Sequence, residues 1–218
     1  MTHTVHPYSH RLGILRGWKS RWFGVGKQYQ VYLKADVLLR EYLEKKLRQF
    51  HVSSIEIERG EKTTKVIIKT SRPGLIIGRS GEGAVTLKKD IEKFLQKNKL
   101  ISSTELKIEI DEVRSPESDA SIVAQMVRDG LEKRMPFRRV LKQTVDKVIA
   151  NRNVEGVRIL ISGRLGGAEM ARKEQIKKGR IPLQTFRADI DFSKEIAKLP
   201  YGVIGIKVWI YRGDIFDK

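Results

Sequence analysis

The chain of 218 residues contains no cysteine, so disulfides and thiolate-held metal sites are excluded, and a reducing compartment fits. No apolar run approaches the roughly 18 residues needed to span a bilayer. The polar start Met1-Thr2-His3-Thr4 is not followed by the apolar core of a secretory signal, so a cytoplasmic location is expected. Acidic residues are scarce: 26 Asp plus Glu stand against 44 Lys plus Arg, a formal net charge of +18. Those few carboxylates do not cluster at metal-ligand spacing, and no nucleophile can be paired with a base. Neither the dinucleotide pattern Gly-x-Gly-x-x-Gly nor the phosphate-loop pattern Gly-x-x-x-x-Gly-Lys-Ser/Thr occurs. The expectation is therefore a protein that is not an enzyme, with no cofactor, no metal and no small-molecule substrate.

What is abundant is positive charge. Residues 1–112 carry 22 basic and 13 acidic side chains, and residues 113–218 carry the same counts, so the excess is not a detachable tail. It is densest over residues 1–35, with six Lys or Arg and no acid, and over residues 133–187, with 15 basic against four acidic. Such a chain seeks a polyanion. An anionic membrane would serve only with an apolar anchor or a long amphipathic surface helix, and the sequence offers neither. Nucleic acid is the expected partner.

One short motif narrows that class. Gly78-Arg79-Ser80-Gly81 follows Pro73-Gly74-Leu75-Ile76-Ile77 and precedes a helical pattern in which Ala84, Leu87, Ile91, Phe94 and Leu95 share one face. Paired glycines at a helix start let a nucleotide backbone lie against main-chain amides, and Arg79 adds a charge there. Upstream, Leu39, Leu43, Leu47 and Phe50 mark a helix, while Ile55 with Ile57, and then residues 64–70, mark strands. Leu106, Ile108 and Ile110 mark another. The order helix, strand, strand, clamp, helix, strand resembles a type II KH RNA-binding domain, whose Gly-x-x-Gly loop holds about four nucleotides of single-stranded backbone. A plain αβ unit whose glycines only turn the chain is the alternative reading.

A boundary is expected at Arg114-Ser115-Pro116-Glu117, with Ser115 capping a helix from about 117 to 134. A second helix follows Pro136, with Phe137, Leu141, Val145 and Val148 on its buried face and Arg138, Arg139 and Lys142 grouped about 120° away. Alternation over residues 157–161, 188–192 and 204–210 marks three strands. The fold class is α+β in two domains, the second with two helices on a mainly antiparallel sheet. The expected division is a basic arm over 1–35, a KH domain over 36–113 and a second α+β domain over 114–218.

The second half also contains Ser162-Gly163-Arg164-Leu165-Gly166-Gly167-Ala168-Glu169, Gly179-Arg180-Ile181-Pro182-Leu183 and Arg187-Ala188-Asp189-Ile190-Asp191. With Val5-His6-Pro7, Arg11-Leu12-Gly13-Ile14, Trp22-Phe23 and the run Tyr201 to Ile210, these motifs span nearly the whole chain. Their order resembles the bacterial-type S-three family of small-subunit ribosomal proteins. The resemblance implies binding to ribosomal RNA in the head of the subunit, beside proteins S-ten and S-fourteen. It also implies a place at the entrance for messenger RNA, with S-four and S-five nearby. On that reading Arg138, Arg139 and Lys142 grip incoming messenger and oppose its base-paired structure. Gly78, Arg79, Ser80 and Gly81 form an RNA clamp, and His6, Arg11, Arg164, Arg172, Lys173, Lys177, Lys178 and Arg180 meet ribosomal RNA.

Other readings of single features are blander. His3, His6 and His10 lack a carboxylate or thiol partner, so RNA or solvent contacts are expected rather than a metal. Trp18, Trp22 and Phe23 stack on bases or anchor the arm. Gly163, Gly166 and Gly167 lack a phosphate-loop lysine and form a tight bend or a close approach to RNA. The rival functions are a lyase or nuclease acting on damaged DNA and a free KH-domain RNA chaperone.

Overall fold

A computed structural model describes residues 5–60, 62–98, 100 and 105–216. The chain forms two units: Trp18–Arg114 is one, and residues up to Gly17 join Ser115 onward in the other. The stretch 1–35, read from its charge as one arm, is thus divided at Gly17. Of the 96–103 link, residues 99 and 101–103 lie outside the described residues, as does His3.

The arm opens with α1 (Pro7–His10) and β1 (Ser20–Arg21), and α2 then runs Lys27–Lys46, well before the first leucine of its apolar face. The first unit continues through β2 (Val52–Arg59), β3 (Thr63–Thr70), α3 (Pro73–Ile77), α4 (Glu82–Lys97) and β4 (Glu105–Glu112). Its sheet has the order β1-β2-β3-β4, with β2 antiparallel to β3 and β4 parallel to β3. Leu39 and Leu43 of α2 and Leu87 and Ile91 of α4 close over Ile55, Ile57, Val66, Ile68 and Leu106 of the strands. Each such side chain contributes roughly 1.5–3 kcal/mol on burial, so this layer fixes where the chain must turn between β3 and α4. Trp22 is an anchor rather than a stacking platform: its Nε1 donates to buried Asp36 at 2.7 Å, where the Arg59 guanidinium also donates at 2.6 and 2.9 Å. Trp18 and Phe23 remain exposed.

In the second unit α5 spans Ala120–Glu132 and α6 spans Phe137–Ile149. The cap of α5 is Asp119, not Ser115: its carboxylate accepts from the amides of Ser121 and Ile122 at 2.8 and 3.1 Å, and Pro116–Ser118 forms a separate 3₁₀ turn. Four strands follow, β5 (Gly156–Gly163), β6 (Arg172–Gly179), β7 (Ala188–Leu199) and β8 (Gly202–Asp214), in the antiparallel order β6-β5-β8-β7. The sequence pattern marked three of them. β6 escaped because Ile176 is its single aliphatic residue, and its lysines suit an edge strand that must not pair with another chain. Val123, Ala124 and Val127 of α5, with Leu141, Val145 and Val148 of α6, pack on Val157, Ile159, Ile161, Ile206 and Val208. Buried Arg128 of α5 reaches Glu195 of β7 at 2.8 Å.

Candidate nucleic-acid interface

The clamp is held by its neighbours rather than by its own contacts. α3 ends at Gly78 with φ +71°, Ser80 has φ +52° and Gly81 has φ +82°. Three positive-φ residues among four reverse the chain at the start of α4, with the Gly78 amide bonded to the Gly74 carbonyl at 3.0 Å and the Glu82 amide to the Arg79 carbonyl; the start of a helix of this length favours an anion. No side chain caps that helix start, and Gly78, Arg79 and Ser80 are exposed. Gly83, which the sequence pattern passed over, allows the turn: a Cβ there would lie 2.5 Å from the Ile76 carbonyl oxygen. A methyl group at that position would push α4 away from α3 and open the loop. Leu75, Ile77 and Val85 stand exposed on the elements flanking the clamp, an apolar border against which unstacked bases can lie.

The expected messenger residues sit on the solvent face of α6. Arg138, Arg139 and Lys142 are all exposed, and the Arg138 side chain, 76 % exposed, makes a long 3.5 Å contact to Glu174 of β6. Because β6 lies beside α6, residues expected to have different partners converge: Arg138 and Arg172 stand 5.6 and 5.5 Å from the Phe137 ring centroid. Lys178 pairs with Asp146 of α6, and this contact, with Lys142 nearby, holds the Asp146 carboxyl below the usual carboxylate range. Arg138, Arg139, Lys142, Arg172 and Lys178 therefore form one cationic surface across α6 and β6.

The remaining predicted contacts separate. Lys173 and Lys177 alternate to the opposite face of the sheet, opposite Ser162 and Arg158 of β5. Arg180 is exposed just beyond β6. Arg164 braces the glycine loop, donating to the carbonyls of Ala168 and Tyr201 at 2.9 and 3.2 Å. That loop is a tight bend, and Gly163 belongs there because a Cβ would sit 2.8 Å from the Val203 carbonyl. His6 packs edge-on against Phe192, and His10 stacks on Phe186. Among the described residues no group of three His, Cys, Asp or Glu side chains could hold a metal.

Arg11 requires a correction. Its guanidinium is buried and donates to the carbonyls of Pro7, Ala188, Leu183 and Thr185 at 3.0, 2.6, 3.0 and 2.8 Å, with Pro182 at 3.5 Å. Burial pushes its pKa down, against the attraction of Asp189, and no face of it is left for a nucleotide. Arg11 fastens the arm to the second unit. The sequence showed a cation in a basic arm but could not show the ring of carbonyls 171 to 177 positions away.

These features define an RNA-binding protein with a KH unit and a second, ribosome-type unit, and comparison with known proteins agrees. The KH domain family matches residues 38–118, and the family described as Ribosomal protein S3, C-terminal domain, matches residues 127–210. The protein named Small ribosomal subunit protein uS3 of Caldicellulosiruptor bescii is 45 % identical over 218 residues, covering 100 % of this chain and 95 % of the relative. Its namesake in Methylococcus capsulatus is 42 % identical, with 100 % and 94 % covered, and that of Xanthomonas euvesicatoria pv. vesicatoria is 45 % identical, with 100 % and 86 % covered. The chain belongs to the uS3 family of small ribosomal subunit proteins. It is a structural protein and not an enzyme.

Proposed function

We propose that this protein is a constituent of the head of the small ribosomal subunit in the cytoplasm, where it binds ribosomal RNA beside S-ten and S-fourteen. At the messenger entrance, with S-four and S-five nearby, α6 grips incoming messenger through Arg138, Arg139 and Lys142. The observation that carries this reading is the solvent face of α6, where three cations are displayed on a helix whose other face is locked into the core. Guanidinium and ammonium groups on a rigid element hold phosphates of any sequence, which is what a channel passing every message requires.

Its mechanism is that of a passive wedge. The chain has no nucleotide-triphosphate motif, so the work of separating base pairs comes from translocation by the ribosome. The α6 cations hold the single strand as it enters and lower the chance that a newly opened pair closes behind it. The clamp serves a second RNA segment: its amides and Arg79 take phosphates, and Leu75, Ile77 and Val85 border the bases.

A free RNA chaperone would share these features but would be held by phosphate contacts alone, whose affinity falls steeply with salt. Sedimentation of a cell extract through sucrose at high salt separates the two. The protein is expected to stay with the small subunit; its release to the top of the gradient would favour the chaperone.

A further inference from the structure

The sheet of the second unit has two faces, and α5 and α6 occupy only one. At one end of the other, Ala188, Ile190, Trp209 and Tyr211 are covered by Ile181 and Leu183, and His6 of the arm lies against Phe192 at 4.7 Å between ring centroids. From the Phe192–Trp209 pair to the β7–β8 turn, Lys194, Ile196, Lys198, Val203 and Lys207 are exposed on this face. Strand register places Lys173 and Lys177 of β6, Arg158 of β5, Lys207 of β8, and Lys194 and Lys198 of β7 on it. Among the described residues no carboxylate of these strands shares it, because Glu174 and Glu195 alternate to the helix side. Among the described residues none of the five lysines has an ion-pair partner.

Two like-charge pairs stand directly opposite across neighbouring strands: Lys194 faces Lys207, and Lys177 faces Arg158. Such pairs weaken a sheet; Arg158 is relieved by the Trp209 ring at 4.9 Å and by Gln175, and Lys194 by the Phe192 ring at 5.7 Å, but no carboxylate neutralises either pair. The sheet of the first unit shows what an uncommitted open face looks like in the same chain. There Lys65 pairs with Glu109 at 2.7 Å, Lys69 with Glu56 at 2.6 Å, and Arg21 with Glu56 and Glu58 at 2.8 Å. One face is neutralised within the fold, and the other is left to an outside anion.

We propose that this exposed half-sheet is a docking face for the phosphate backbone of a duplex RNA segment, separate from both the clamp and α6. Strands about 4.8 Å apart, with same-face residues about 6.6 Å apart along each, set the cations on a rigid lattice that meets two phosphate strands at once. Trp209 is buried and Phe192 half-buried beneath the arm, so these strands offer no free ring for base stacking. Recognition is therefore of backbone shape, without sequence preference. This assignment gives a role to Arg158, Lys194, Lys198 and Lys207 and stands whether or not α6 meets messenger.

The test replaces Lys194→Gln, Lys198→Gln and Lys207→Gln together in the full chain and titrates a labelled mixed-sequence RNA duplex of about 20 base pairs at several salt concentrations. With about 0.7–0.9 counterions released per phosphate contact, the slope of log affinity on log salt should fall by about 2, and affinity near 0.1 M salt about tenfold or more. The melting temperature should not drop, since a repulsion has been removed. A control carrying Lys65→Gln, Lys69→Gln and Lys107→Gln removes the same charge from the neutralised sheet and should change affinity less than about threefold. Unchanged slope and affinity in the first variant would overturn the proposal, as would equal losses in both variants, which would make the effect one of net charge. Loss of binding to a poly-glutamate peptide with RNA affinity intact would also overturn it, in favour of an acidic protein partner.

Discussion

Subunits carrying Arg138→Gln, Arg139→Gln and Lys142→Gln together should translate an unstructured message within about twofold of the normal rate, yet slow about three- to tenfold at a stable hairpin. The magnitude follows from the exposure of these groups: each surface contact to phosphate contributes only a few tenths to about 1 kcal/mol. A combined loss near 1.4 kcal/mol is a factor of ten in rate where strand capture limits passage. On an unstructured message the channel has nothing to open, and the same loss goes unnoticed. Folding should be unaffected, because Val140, Leu141, Thr144, Val145 and Val148 form the buried face of α6 and exposed substitutions usually change stability by less than about 0.5 kcal/mol. Ribosome profiling or single-molecule translation on paired messages with and without the hairpin reads the difference. Equal slowing on both would show that the trio acts in assembly or general binding and not on structure in the message.

Replacing Arg11 should instead damage the fold. Arg11→Ala leaves the carbonyls of Ala188, Leu183 and Thr185 without the donor they share, in a site that is buried at Ala188 and part-buried at Leu183 and Thr185. A buried acceptor left without its donor costs about 1–3 kcal/mol, so with about 2–4 °C per kcal/mol for a chain of this size the melting temperature should fall by several degrees or more. Arg11→Lys should recover little, since one ammonium cannot span carbonyls that the guanidinium reaches with three separate nitrogens. Thermal unfolding of the full chain, read by circular dichroism, checks this. A normal melting temperature with weakened, salt-sensitive RNA binding would restore Arg11 to the RNA surface and contradict the buried site.

The two substitutions mark how far the sequence could be read. Elements with periodic apolar faces were legible: the Leu39 and Leu43 face of α2, the alternation through Val66 and Ile68, and the two helices before the second sheet, although the first of these starts at Ala120 rather than at about 117. The turn at Gly78–Gly81 was legible because a loop needing positive φ must use small residues at fixed spacing. β6 was not, since an edge strand of lysines carries no apolar period, and with it went the separation of Arg172 and Lys178 from Lys173 and Lys177. Single charges were the least legible. Arg11 and Arg138 look alike in a list of basic residues, and only tertiary packing decides that one is enclosed by carbonyls and the other faces solvent. Gly83 carried a weak signal, one glycine inside a helical pattern, whose cause is the approach of the Ile76 carbonyl.

The most direct test is a cryo-electron microscopy map of a small subunit containing this protein with a messenger threaded into it. Density for the messenger backbone is expected within hydrogen-bond reach of Arg138, Arg139 and Lys142 at the entrance. A messenger path running elsewhere, with the exposed face of α6 packed against ribosomal RNA or another protein, would contradict that expectation.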